Sequence, residues 1–466
     1  MFKKSTDLPF DQKTVFDYHA RRGAIDRLIP PWERVKILKR NDSLDVGTEV
    51  LLQQSLGPLK MEWLAKHTAY EPPQRFQDIQ VRGPFRSWIH DHLIESTSDQ
   101  TSRLTDSVQF RLPYGLIGQL GSHWIDAKVA SMFNYRHQTT LEDLQYSAHI
   151  KSLVPAGSTM RIGVSGSSGM IGRRVCALAS VSGIHVVRIV RPGTPSADAS
   201  IPAESVTTFA NGTFSNPNLV EQLDAIIHLG GHGIADNRWT QSTKNKILSS
   251  RVDSTIALVK GMKGLKTPPT KFVCASGIGA YGDQGESICS DESLDNQRPD
   301  GSSFLEQVSY EWESAAREYL DCGNLCIGRL AMAIHPLEGA LSKMIPLFRL
   351  GFGGKLGSGK QYWSWIHVDD AAGAFLHLAL NPKSSGLYNL SSPAPVTNSE
   401  FTDILCSKLK RWAILPAPKF GLRLMLGQMA DELLLASIRA TPSRLVGESF
   451  PFRARTLDQA FNRLLP

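Results

Sequence analysis

Residues 161–191 read RIGVSGSSGMIGRRVCALASVSGIHVVRIVR. The apolar run RIGVSG, the helical stretch MIGRRVCALASVSG and the second apolar run HVVRIVR predict strand, helix, strand, and hence a parallel sheet. Between the first strand and the helix lies Ser165-Gly166-Ser167-Ser168-Gly169-Met170-Ile171-Gly172. Three glycines at this spacing have separable uses: a tight turn, close approach of backbone to a pyrophosphate, and close packing of helix on strand. The N–H groups that open the helix then face an anion. Ser165, Gly166, Ser168, Gly169, Met170, Ile171 and Gly172 are therefore candidate cofactor contacts. The second strand ends without the acidic residue that would bond the ribose 2′-hydroxyl of NAD. Arg191 stands there instead, and a guanidinium suits a 2′-phosphate through charge-assisted bidentate hydrogen bonds. NADP(H) is the expected cofactor, with Arg188, on a different face of the strand, the weaker candidate.

Working outward, DAIIHLGG (224–231), KFVCASG (271–277) and LCIGRLA (325–331) read as further strands of the same style, separated by amphipathic segments such as 243–262. Upstream the pattern changes to alternating runs, EVLLQQSL (49–56), RFQDIQVRG (75–83), FRSWIHDHLIES (85–96) and SRLTDSVQFRLP (102–113), which predict an antiparallel β-rich domain with helices at its ends. A helix expected over roughly 121–146 gives way at KSLVPAGSTM (151–160) to the parallel pattern. The expected division is 1–150, a linker at 151–159, a dinucleotide-binding domain at 160–400 and a helical extension at 401–466.

With 466 residues, 41% hydrophobic and 20% charged, the chain has the composition of a multidomain globular protein. The net charge of +7 is interleaved, without a basic run of five, so no nucleic-acid partner is expected. No segment approaches 18 uninterrupted apolar residues, so no stable membrane insertion is expected and a cytoplasmic location is. The 6 cysteines, all between Cys176 and Cys406, fit reduced thiols rather than a disulfide framework.

With SGSSGMIG, IIHLGGHGIADNRWT, SSRVDST, SGIGAYG and FGGKLGSGKQYWSWIHVDDAAGAF in view, residues 160–466 resemble the atypical extended short-chain dehydrogenase/reductases called the epimerase family, of the 39U type. The resemblance implies a Rossmann-like doubly wound α/β sheet with a C-terminal substrate and extension region, and NADP binding. Leu229, Gly230, Gly231, Arg251, Ala275 and Arg329 become further cofactor candidates, and Tyr281, Gln361, Ser364 and His367 candidates on the substrate side. The loop from Gly351 to Gly359, with Lys355 and Lys360, resembles the family's substrate-side loop. Residues 1–150, through RLIPPWERVK, LGPLKMEWLAKH, FQDIQVRGPFRSWIHDH and MFNYRH, resemble the START-like (SRPBCC, cyclase/dehydrase-like) superfamily. That implies an α+β helix-grip fold, a curved sheet wrapped on a long helix around an apolar cavity for a lipophilic ligand.

Typical members of the first family use Tyr-x-x-x-Lys and a Ser or Thr. Here the corresponding helix reads FLEQVSYEWESAA (304–316), with Val308 at the Tyr position and Trp312 at the Lys position. Neither transfers a proton. Tyr310 is turned about 200° from Val308 on a helix. Ser276 and His232 remain as the first candidates for proton transfer. Two functions follow: an NADP-dependent oxidoreductase or epimerase-like protein with a small-molecule substrate, or a non-catalytic NADP(H)-dependent binding or sensor protein.

In the first domain Trp88, His90 and His92 alternate along one strand and share a face, with His67 on a neighbouring candidate strand. Three histidines would suit zinc, but no fourth ligand is evident. The reading is therefore a polar floor to a pocket walled by Trp32, Trp63, Phe85 and Trp88, with no metal.

Overall fold

The computed structural model describes residues 1–40, 43–113, 122–194, 205–291, 303–412 and 416–465. The first half is a seven-stranded antiparallel sheet of β1 (Phe2–Leu8), β2 (Val35–Lys39), β3 (Glu49–Leu56), β4 (Leu59–Glu71), β5 (Arg75–Arg82), β6 (Ser87–Ser98) and β7 (Thr101–Arg111), in the order β1-β7-β6-β5-β4-β3-β2. Helices α1 (Gln12–Ala20) and α2 (Ala24–Leu28) follow β1, and the long α3 (Ser122–Leu153) crosses the sheet. Alternation decides the inward face. Along β6, Trp88, His90, His92 and Ile94 are buried while their neighbours are less so, as a period of two requires. This is the expected helix-grip arrangement. Helix α3 runs to Leu153, so the first three residues of the expected linker are its last turn.

The second half is an eight-stranded sheet. Its strands are β8 (Arg161–Ser165), β9 (His185–Val190), β10 (Ser205–Ala210), β11 (Thr213–Phe214), β12 (Ala225–His228) and β13 (Lys271–Gly277). The short β14 (Ile288–Ser290) lies outside it, and then come β15 (Asn324–Leu330), the short β16 (Met332–Ile334), β17 (Tyr362–Trp363) and β18 (Trp365–His367), and β19 (Gly386–Leu390). The sheet order is β11-β10-β9-β8-β12-β13-β15-β19, parallel except for β11. The order reverses between β8 and β12, the topological switch point where doubly wound sheets leave a crevice. Helices α4 (Met170–Val181), α5 (Gln241–Lys263), α6 (Phe304–Arg317) and α7 (Val368–Leu380) cover the faces. Among the described residues no helix is long and apolar enough to cross a membrane.

The halves share one core. A single apolar cluster contains Leu8, Phe16 and Leu144 together with Ile162, Leu178 and Leu378. Gly23 packs so closely on α4 that an added Cβ would collide with the Ala177 carbonyl. The Arg27 guanidinium, fully buried, donates to Asp143 through Nε and Nη2 at 2.9 Å each and to Asp369 at 2.6 Å. Arg453 of the extension reaches the same Asp143 at 2.6 Å, and Arg174 of α4 reaches Asp369 at 3.1 Å. Burial alone would raise the Asp369 carboxyl, but Arg27, Arg174 and Arg453 hold it well below the usual range. Five segments far apart in sequence thus meet around two carboxylates.

Candidate dinucleotide and catalytic site

Parallel strands end on one edge, so the loops after β8, β12 and β13 are brought together. Gly166 has φ +76°, which disfavours a side chain, and an added Cβ would stand 2.7 Å from the Leu229 carbonyl carbon and 2.9 Å from Gly230 N. Gly172 is equally closed: its Cβ would press on the Gly166 carbonyl and sit 2.8 Å from Ser167 Cα. Gly169 differs. A Cβ there would meet only the Gly166 oxygen at 3.4 Å, so the space over the start of α4 is open. Gly169 is the N-cap and provides no side-chain cap, which leaves the first-turn N–H groups of Met170, Ile171 and Gly172 to an outside acceptor. Two glycines close the turn and the third leaves room, which is the fit a dinucleotide pyrophosphate requires. Ser168 is exposed beside it.

Ser165 and His228 sit opposite each other in the β8–β12 register, with His228 Nδ1 3.1 Å from Ser165 Oγ and Nε2 3.3 Å from Ser254 Oγ. Burial pushes His228 down to about 4. Arg251, on α5, donates to the His232 carbonyl at 2.9 Å and lies over the Trp312 ring, 5.2 Å from its centroid. An added Cβ at Gly231 would touch its guanidinium at 3.0 Å. Arg251 thus braces the 229–232 loop from below. Arg191 is exposed at the end of β9. Arg188, the weaker candidate on sequence, is buried with Nε 3.2 Å from Ser167 Oγ, against the glycine turn itself.

Val308 and Trp312 are both buried, and Tyr310 lies on another face of α6. Beside them lies a network the sequence did not expose. Ser276 Oγ donates to Glu313 Oε1 at 2.8 Å; Arg329 donates to both oxygens of Glu313, at 2.8 and 3.0 Å. Arg329 also lies 4.7 Å over the Tyr281 ring, whose hydroxyl donates to Asn389 at 2.7 Å. Ser276 and Arg329 are register partners on β13 and β15, and Glu313 comes down from α6. Ala275 is buried one residue earlier. His232 is half-buried in the loop after β12.

Three of the substrate-side candidates bind backbone groups. Gln361 donates to the Leu356 and Leu434 carbonyls, and Ser364 donates to the Ile438 carbonyl while accepting from Ala440 N. His367 caps α7 by accepting from Asp369 N, and burial pushes it down to about 3. All three are buried and bind backbone, which fastens the C-terminal extension and a helix start, while His367 Nε2 has no hydrogen-bond partner. Lys355 and Lys360 stay exposed. Arg329, a cofactor candidate, and Tyr281, a substrate-side candidate, both sit in the buried network.

The fold and the site define a dinucleotide-binding α/β protein with a helix-grip domain in front. Residues 162–391 match the model of the NAD dependent epimerase/dehydratase family, 417–464 a domain of unknown function (DUF1731), and 8–133 the polyketide cyclase/dehydrase and lipid transport family. An epimerase family protein of Mycobacterium bovis is 34% identical over 305 residues, 64% of this chain and 95% of the relative. The chloroplastic SDR39U1 homolog of Arabidopsis thaliana is 30% identical over 311 residues, 66% of this chain and 87% of the relative. Among solved structures, a nucleoside-diphosphate sugar epimerase from Corynebacterium glutamicum superposes with TM-score 0.79 and 27% identity over 100% of this chain and 90% of that one. Human epimerase family protein SDR39U1 (isoform 2), solved with NADPH, gives 0.57 and 26% over 66% and 99%. The chain belongs to the epimerase family, carrying an oxidoreductase/epimerase-type NAD(P)-binding fold joined to an SRPBCC-type ligand-binding domain.

Proposed function

We propose that the protein is an NADP(H)-dependent oxidoreductase or epimerase-like enzyme acting on a small molecule, in which the Ser276–Glu313–Arg329 network stands in for Tyr-x-x-x-Lys. The open space over Gly169 at the switch point carries the cofactor half of this reading, and Arg191 the NADP half. NADPH in the human relative supports it. A bound nicotinamide supplies hydride chemistry; the chain supplies binding, orientation and a proton. Arg191 answers a 2′-phosphate, and the first-turn N–H groups of α4 answer the pyrophosphate. Ser276 donates a hydrogen bond to Glu313 and keeps oxygen lone pairs, so in oxidation it can take the proton of a substrate hydroxyl while passing its own to the carboxylate, and in reduction the same relay run backwards returns a proton to the substrate oxygen. His232 is the second proton-bearing group at the same edge. A lipophilic ligand in the helix-grip domain is the partner proposed for the first half.

Buried Val308 and Trp312 favour a second reading, a protein that binds NADP(H) without turnover. Calorimetry and single-turnover absorbance separate the two. NADP(H) is expected to bind at least about tenfold more tightly than NAD(H), a difference of about 1.4 kcal/mol that Arg191→Ala removes. Reduced-nicotinamide absorbance should decay with an accepted substrate, and Ser276→Ala and Glu313→Gln should slow it at least about tenfold with cofactor affinity unchanged. Binding without decay across carbonyl substrates selects the sensor; equal affinities for both cofactors reject Arg191.

A further inference from the structure

The strand register of the helix-grip half assembles a cluster that stands apart from the dinucleotide site. Asp78 on β5 is the direct partner of His90 on β6, and His92 is the direct partner of Asp106 on β7. All four side chains are buried or nearly so, beneath α3. Oδ1 of Asp78 stands 3.3 Å from His90 Nδ1 and 3.6 Å from His92 Nε2. The other two ring nitrogens turn to one oxygen of Asp106, with His90 Nε2 at 3.0 Å and His92 Nδ1 at 2.7 Å. His137, from α3, donates to the second oxygen of Asp106 at 2.8 Å and stands 2.8 Å from the Thr6 hydroxyl.

Two features separate the Asp78 side from an ordinary ion pair. Charge-assisted N–H···O contacts run about 2.7–2.9 Å, and those on the Asp106 side lie at 2.7–3.0 Å, whereas 3.3 and 3.6 Å on the Asp78 side are longer. They match the edge of a tetrahedron, about 3.3 Å when ligand bonds are about 2.0–2.1 Å. One carboxylate oxygen and one nitrogen of each ring lie mutually within 4.8 Å. The second feature is charge. If both rings donated to both aspartates, two imidazolium ions would face each other with centroids 3.8 Å apart in the interior, a costly like-charge pair. One divalent cation on the Asp78 side replaces those two protons, neutralises both carboxylates and leaves each ring neutral, with the far nitrogen of His90 hydrogen-bonded to Asp106 and that of His92 2.7 Å from the same oxygen. That outer carboxylate holding the far nitrogen is the usual support of a metal-bound histidine. His67, the register partner of Asp78 on β4, is about nine-tenths buried and carries an Nδ1 with no hydrogen-bond partner.

We propose that Asp78, His90 and His92 form a binding site for one divalent first-row transition ion, zinc first, with Asp106 as the outer carboxylate that orients both imidazoles. Three protein ligands leave a coordination position open, the pattern of a metal that also takes water or a small oxygen ligand. His137 and Thr6, which back the cluster, also line a cleft of about 560 Å³ between β1, α3 and Pro451–Arg453, so solvent lies one residue away.

The test uses the full chain, stripped with a chelator and titrated with Co²⁺ and Zn²⁺. One ion per chain is expected, with visible Co²⁺ ligand-field bands and a Zn²⁺-dependent rise in the melting midpoint. Asp78→Asn and His92→Gln should each weaken binding at least about 100-fold, and Asp106→Asn about 10–100-fold. His123→Gln, on the exposed face of α3, should change nothing. Because loss of a buried partner can unfold the domain, the comparison rests on whichever ligand variant keeps the wild-type circular dichroism, with Asp78→Glu as the charge-conserving member. No uptake by the wild type, or uptake undiminished in a folded Asp78 or His92 variant, overturns the proposal.

Discussion

At the residue scale the glycine turn makes a prediction that separates folding from binding. Gly166→Ala must hold φ +76° and push against the Leu229 carbonyl, so it should cost about 1–3 kcal/mol of stability in chemical denaturation. Gly169→Ala should leave the denaturation midpoint unchanged yet weaken cofactor binding at least about tenfold, because its methyl enters the space over α4. A Gly169→Ala protein that binds normally would show that the pyrophosphate lies elsewhere. The glycines were legible because their spacing, from 166 to 172, is a local pattern, although the Leu229 backbone that closes on Gly166 comes from another strand end. Glu313 was not. It matters only because β13 sets Ser276 beside Arg329 of β15 and α6 lowers a carboxylate onto both, a meeting of residues 276, 313 and 329 with no local signal. Strand alternation turned Arg188 away from Arg191, and what alternation could not show is the depth that carries it under the glycine turn.

At the element scale the strands were readable from period and composition, and the helix-grip pattern from alternation. What escaped was how the extension is fastened. Glu432 caps α6 by accepting from Ser303 Oγ, Phe304 N and Leu305 N at 2.8–3.0 Å, so a residue of the extension holds the helix that carries Val308, Trp312 and Glu313. Glu448 does similar work on α7 and β19, accepting from His377 at 2.7 Å, Asn381 at 2.8 Å, Ser384 at 2.7 Å and the Tyr388 hydroxyl. Burial alone would raise this carboxyl, but the hydrogen bonds hold it at about 2 against an ordinary 4.5. A depressed acid stabilises fully above its unfolded value and loses that contribution as pH falls from 4.5 towards 2. Glu448→Gln should therefore cost about 2 kcal/mol at neutral pH. The gap between variant and wild type should narrow across that acid window; a gap independent of pH would assign Glu448 a packing role instead.

At the scale of the whole molecule the two halves were expected as separate units, and the sequence supports that division because its patterning changes sharply near residue 155. The contacts do not respect the division. Apolar side chains of both halves form one cluster, and Asp143 and Asp369 share Arg27 across it. One cooperative calorimetric transition is expected. Asp369→Asn, which lies in the second half, should lower by about 3–5 kcal/mol the stability of both, with the fluorescence of Trp63 and Trp88 and cofactor binding lost together. Two well-separated transitions, only one of them moved by the variant, would refute this. The same guanidinium sets a rule for recombination between related genes. A crossover near residue 155 hands Arg27 and Asp143 to one parent and Arg174, Asp369 and Arg453 to the other. A chimera stays balanced only when both parents carry the set in matching charge; otherwise it inherits a stranded ion at its seam, however well each donor folds.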